Sequence, residues 1–118
     1  MPKISPRASV VEHPLYQATM AAQHAAYQVM RGVPPDWKAK ATRLHVALVH
    51  ATTYAQYAID PDTADRPGSV KGLLSAVAEA REQLEPLTAV ADANEVDALV
   101  QSLGRVEAAV GPPEAATA

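Results

Sequence analysis

The stretch "VMRGVPPDWKAKATRLH", residues 29–45, decides the fold. A three-and-four spacing of apolar residues runs up to it from Leu15 through Ala18, Ala22, Ala26 and Val29, the stripe of an amphipathic helix. Gly32 gives that helix a C-terminal stop, with Pro34 and Pro35 just beyond it and Arg31 suiting the dipole of the last turn. A second helical pattern opens almost at once. Pro35 fits a first turn and Asp36 sets a negative charge at the N-terminus. Trp37, Ala41, Leu44, Leu48, Ala51 and Ala55 form its core face, to about Ile59. A corner this short makes the two helices antiparallel neighbours.

The pattern continues outward. Residues 60–69, "DPDTADRPGS", read as a polar loop. Counted as a calcium loop from Asp60, the sixth position is Asp65 rather than Gly and the twelfth is Lys71 rather than Glu, so the EF-hand pattern fails. A third helix is expected from Ser69 as N-cap, with Leu73, Val77, Ala80, Leu84 and Leu87 as its stripe and Pro86 kinking or ending it. "ADANEVD" is the next break, capped by Asp92 or Asn94. A fourth helix then carries Val96, Leu99, Val100, Leu103, Val106 and Val110, closed by Gly111, Pro112 and Pro113. Four helices with short connections and no strand pattern predict an all-α, up-down antiparallel four-helix bundle over residues 14–110. Residues 1–13 are expected as a flexible arm and 111–118 as a flexible tail.

Composition agrees. The chain has 118 residues, one domain's worth, with no Phe and about a fifth Ala. Ala is the best helix former, and a core of Ala, Leu and Val is thin, so the helices must approach closely. The absence of Cys removes disulfides, thiolate catalysis and Cys-ligated metals. The first residues lack the apolar stretch of a secretory signal, and no window approaches the roughly 20 apolar residues of a membrane span. A cytoplasmic protein without membrane attachment is therefore expected.

Catalytic patterns are missing. Of His13, His24, His45 and His50, none has an acid three residues before it, as a di-iron bundle requires. His45 and His50, five apart, are rotated by about 140° on a helix. Ser69, Ser75 and Ser102 have no nucleophile motif around them, and no Gly-rich phosphate loop occurs. The expectation is no enzyme activity, no metal and no cofactor.

Two surface features stand out instead. Tyr16, Met20 and Tyr27 lie together on helix 1, displaced from its core line, and Val46, Val49 and Thr53 face away from the core line of helix 2. A lone bundle needs one apolar face per helix, so this second stripe predicts a subunit interface in a homo-oligomer. Charge is also segregated. Residues 1–59 carry six Lys and Arg against two acids, and residues 60–118 four against eleven, for net charges of +4 and −7. Arg31, Lys38, Lys40, Arg43 and His50 are the candidate edge for an anionic partner such as nucleic acid, with Lys40, Arg43 and His50 on one flank and Lys38 pointing elsewhere.

The segments "PLYQATM", "RGVPPDW", "KAKATRLHVALVHATTYAQYAI" and "ADANEVDALVQSLGRVEAAV", together covering about residues 14–110, resemble one four-helix-bundle family. It comprises the ribosomal-RNA intervening-sequence proteins and the accessory variability determinant (Avd) of diversity-generating retroelements. The resemblance implies a small bundle assembled as a ring, notably a pentamer, that assists a reverse transcriptase and binds RNA or DNA. Under it, Lys38, Lys40 and Arg43 match the family's basic start of the second helix, and Arg31 the end of the first. The net charge of −3 departs from the basic Avd-type members. A structural scaffold or virion-type assembly protein that contacts only other proteins is the alternative.

Overall fold

A computed structural model describes residues 13–60 and 65–110. The expected arm (residues 1–12), residues 61–64 of the polar loop, and the tail with the Gly111–Pro113 stop lie outside the described residues. Four helices account for nearly all of the rest: α1 (Pro14–Gly32), α2 (Lys38–Ile59), α3 (Arg66–Leu87) and α4 (Ala93–Val110). The chain is the all-α four-helix bundle that the periodicity predicts.

Cross-helix neighbours give the direction of each helix. Between α1 and α2, Leu15 and Ala58 share one small cavity, Thr52 meets Gln23, Tyr27 meets His45, and Met30 meets Thr42. One number rises as the other falls, which is antiparallel packing. The same holds for α2 and α3, where Tyr54 lies over Gly72 and His50 shares a groove with Glu79. It holds again for α1 and α4, where Gly32 meets Glu95 and Leu15 meets Val110. The sides of the bundle are unequal. α2–α3 is the most closely packed pair, α1–α2 and α1–α4 follow, and α3 and α4 touch only sparsely. Arg81 on α3 and Glu107 on α4 form an ion pair across that last seam.

The core is built from alternating large and small side chains. Leu44, Leu48, Leu73, Leu87, Leu99 and Leu103 are fully buried, each contributing roughly 1.5–3 kcal/mol of transfer free energy. Ala22, Ala26, Ala41, Ala51, Ala55 and Ala80 fill the space where helices come closest. Val100, expected in the stripe of α4, is instead exposed. At 18 residues α4 packs mainly on α1, and a helix with one main neighbour covers a narrower arc than the stripe spans. Thr19, Thr52 and Ser102 are buried polar residues. The Thr19 and Ser102 hydroxyls lie within hydrogen-bond distance of carbonyls one turn back on their own helices, so no donor is left orphaned.

The helix ends depart from expectation in three places. α1 runs through Gly32, and the stop is Val33, extended at φ −78°, ψ 154°, because the residue before a proline is driven out of the helical region. Pro35–Trp37 form a separate 3-10 turn before α2 starts at Lys38. α3 begins at Arg66, not Ser69: Asp65 is the N-cap and its Oδ1 accepts from the Gly68 amide at 3.0 Å. Ser69 is buried within the first turn, its hydroxyl donating to the Asp65 carbonyl. Pro67 is tolerated because a first-turn amide has no partner inside the helix. Pro86 sits in the final turn of α3, which ends one residue later. Of the two expected caps Asp92 is the one used, its Oδ1 accepting from the Asn94 and Glu95 amides at 2.9 and 3.1 Å.

Candidate functional site

The α1–α2 pair presents a surface of its own. On α1 the core line of Leu15, Ala22, Ala26 and Val29 turns inward. Met20 and Tyr27, seven residues apart, therefore rise together on the outer side. On α2 the inward line of Ala41, Leu44, Leu48, Ala51 and Ala55 leaves Val46, Val49 and Thr53 outside. Met20, Tyr27, Val46 and Val49 are 38, 41, 42 and 37% exposed. Thr53 is exposed and Tyr16 half-buried. The second stripe thus lies outside the bundle core, with Met20 and Tyr27 on the α1–α2 seam and Val46 on the side of α2 toward α3.

Polar groups between the helices hold this face in shape. The Tyr27 and His45 rings meet at 5.8 Å between centroids with a 57° tilt, a favourable offset geometry for aromatic pairs. The Arg31 guanidinium lies 5.9 Å from the Tyr27 centroid, within cation–π range. Thr52 Oγ1 is 2.9 Å from the Gln23 side-chain amide and 3.0 Å from the Leu48 carbonyl. One hydroxyl proton serves one acceptor. Gln23 Oε1 and the Leu48 carbonyl are therefore alternative acceptors for the Thr52 hydroxyl. Met20, Gln23, His24, Tyr27 and His45 line a shallow groove of about 260 Å³ along the seam. Its lining holds no Lys, Arg, Asp or Glu.

The five basic candidates do not converge on one patch. Lys38 Nζ donates to the Met30 and Arg31 carbonyls at 2.8 and 2.9 Å, closing the C-terminus of α1 from across the corner. Lys40 Nζ lies 5.1 Å from the Trp37 ring centroid. Arg43 and His50 do share a groove, about 230 Å³ between α2 and α3, with Val46 and Glu79. Arg31 stands apart from them over Tyr27. Glu79, and Lys71 in the adjoining groove of about 420 Å³ with His50, Tyr54 and Ser75, are neighbours that α3 supplies and that sequence reading did not anticipate. One signal was present: Gly68, Gly72 and Ala76 recur every four residues and mark a side of α3 low enough for side chains of α2 to lie over. A Cβ at Gly72 would come within 2.5 Å of the Tyr54 ring.

Among the described residues no three His, Asp or Glu side chains are arranged to hold a metal ion, and no helix is long and apolar enough to cross a membrane. Comparison with protein-family models, with curated proteins and with solved structures finds no match.

Proposed function

We propose that the chain is a non-catalytic, self-associating helical-bundle accessory protein that docks through the outer face of α1 and α2. The observation carrying this reading is the set of large apolar side chains left exposed on these two helices, Met20, Tyr27, Val46 and Val49, with Met20 and Tyr27 in a groove that holds no Lys, Arg, Asp or Glu. Contiguous exposed apolar surface on a small domain marks a contact with another macromolecule. The resemblance to the intervening-sequence and Avd family supplies the setting: a cytoplasmic assembly of subunits serving a reverse transcriptase and its nucleic acid. Sedimentation velocity over a micromolar concentration series tests the core of the proposal. The wild type should run larger than a monomer, and Val49→Glu should run as a monomer with unchanged helicity. A wild type that stays monomeric throughout would overturn it.

A second reading, a scaffold contacting only proteins, draws support from the basic residues. Lys38 is engaged by carbonyls, Lys40 stacks on Trp37, and Arg43 shares its groove with Glu79. Few cations are left for phosphates on one subunit. A binding titration on duplex DNA and single-stranded RNA at low salt separates the two readings. Under the nucleic-acid reading the wild type binds, affinity falls steeply with salt, and a Lys40→Glu, Arg43→Glu double mutant with intact assembly loses binding. No wild-type binding at low salt leaves the protein-only scaffold.

A further inference from the structure

We infer that the occupant of the α1–α2 face is the same face of a second copy, packed about a two-fold axis with its helices antiparallel. This inference rests on the self-association proposed above, and it departs from the ring of subunits that the family resemblance implies.

The first argument is where the apolar surface lies. A ring needs a heterologous contact, in which one patch meets a different patch on the next subunit. Among the described residues the exposed large hydrophobics fall on α1 and α2, with Tyr54 and Tyr57 also on α2; the exception is Val100 on α4, and α3 has none. The outer side of the α3–α4 half carries charges of both signs instead, including Glu82, Glu85, Asp97, Arg81 and Arg105, all exposed. Seating Met20, Tyr27, Val46 and Val49 on that half would desolvate charged groups against apolar side chains, which is costly. The α1–α2 face itself is the apolar surface that matches it.

The second argument is composition and size. Stable interfaces have a centre depleted in charge and enriched in Tyr and Met, with a polar rim that often includes Arg. This face shares that composition: a groove with Met20 and Tyr27 and no Lys, Arg, Asp or Glu, with Arg31 over Tyr27 and Arg43 beside Val46. α2 has 22 residues, about 33 Å of helix, and two helices side by side are about 20 Å wide. A footprint of roughly 600 Å² before side-chain relief is of the order of the ~800 Å² per partner that a specific dimer buries.

Charge selects between the two symmetric arrangements. An axis parallel to the helices would stack corner on corner, bringing Arg31, Lys38, Lys40 and Arg43 of both copies together. An axis across the helices sets each corner over the opposite end of the other copy's helices and keeps those cations apart. That axis crosses the middle of the face. Val49 is central in α2 (38–59), and Met20 and Tyr27 straddle the centre of α1 (14–32). Val49 should therefore lie close to Val49 of the second copy.

The chain has no Cys, so a single substitution reports self-proximity cleanly. Val49→Cys and, on the α2–α3 side, Ser75→Cys are each treated with a short bismaleimide cross-linker. Both are first checked for wild-type helicity and for a wild-type sedimentation profile. The expected result is a dimer plateau in sedimentation, efficient covalent dimer from Val49→Cys, and little from Ser75→Cys. A larger closed assembly, or a dimer that does not cross-link through position 49, overturns the two-fold pairing and leaves the self-association standing. A protein that is monomeric throughout removes both.

Discussion

The two halves of this bundle are built on opposite terms. α1 and α2 pack along their whole length and still leave apolar side chains outside. α3 and α4 barely meet, yet their outer surface is charged and their joint is an exposed ion pair between Arg81 and Glu107. Within the monomer, then, the second half contributes its inward stripes to the core and keeps the surface solvated. The first half contributes a core stripe and a second surface that water does not satisfy. An exposed apolar stripe beside a well-packed seam cannot be a packing defect of the kind that more core would repair. On the proposal above it is the docking surface.

The largest expected effect comes from breaking the contrast within α2, between adjacent residues. Leu48 is fully buried and Val49 is not. Leu48→Ala should cost about 2–5 kcal/mol, the transfer loss plus the cavity left behind, and lower the thermal midpoint of the isolated subunit. Val49→Glu should leave that subunit's stability within about 0.5 kcal/mol, as surface changes do, while abolishing assembly. Denaturant melts at low protein concentration, read beside sedimentation, distinguish the two. If Val49→Glu unfolds the subunit, the outer face is core after all.

A smaller change probes the contact that joins the halves. Glu95 Oε2 is buried without a hydrogen-bond partner, and it sits 3.1 Å from where a Cβ of Gly32 would be, by the C-terminus of α1. The carbonyl end of a helix carries partial negative charge, an unfavourable neighbour for a carboxylate. Glu95→Gln removes the charge and supplies an amide donor, and should stabilise the protein by about 1 kcal/mol. A drop in the thermal midpoint would instead mean that the carboxylate is needed there. Gly104 is exposed within α4, and a Cβ added there would meet nothing within 4 Å. Gly104→Ala should raise stability by about 0.5–1 kcal/mol through helix propensity alone, measured by chemical denaturation. Arg81→Ala should do least. Both partners of its ion pair are about half exposed, such pairs contribute roughly 0–1 kcal/mol, and the loss should fade as salt is raised. A loss above that range would show that the α3–α4 seam depends on the pair more than its exposure implies.

Much of the fold was legible because helical periodicity is local. The stripes of Leu15–Val29, Ala41–Ala55 and Leu73–Leu87 needed only a period of 3.6 and the proline corner between the first two, whereas Trp37 fell in the 3-10 turn, half-buried. The ends were less legible. Gly32 has the character of a stop, but the chain stops where Pro34 forces Val33 to be extended, and Asp65 rather than Ser69 opens α3. Two plausible caps four residues apart compete, and the chain chooses by which side chain is needed inside: Ser69 is buried. The stripe of Tyr16, Met20 and Tyr27 and that of Val46, Val49 and Thr53 were visible as patterns. Which groove each of these residues joins was not, since it depends on how the helices are rotated against each other.

The sequence by itself determined the helix count, the antiparallel order and the apolar stripe of each helix, because these follow from spacing, proline and short connections. Only the tertiary structure decided which side of each stripe met a neighbour. It showed that α4 has one main partner, which leaves Val100 in water, and that Arg43 and His50 share a groove while Lys38 turns to α1 carbonyls, Lys40 to Trp37 and Arg31 to Tyr27. Lys38 could not be read as a cap for α1 from sequence, because its partners are carbonyls eight and seven residues back, reached only after the corner has folded. Contacts between helices depend on relative rotation and axial shift, which a one-dimensional period does not encode and which close packing of Leu against Ala sets.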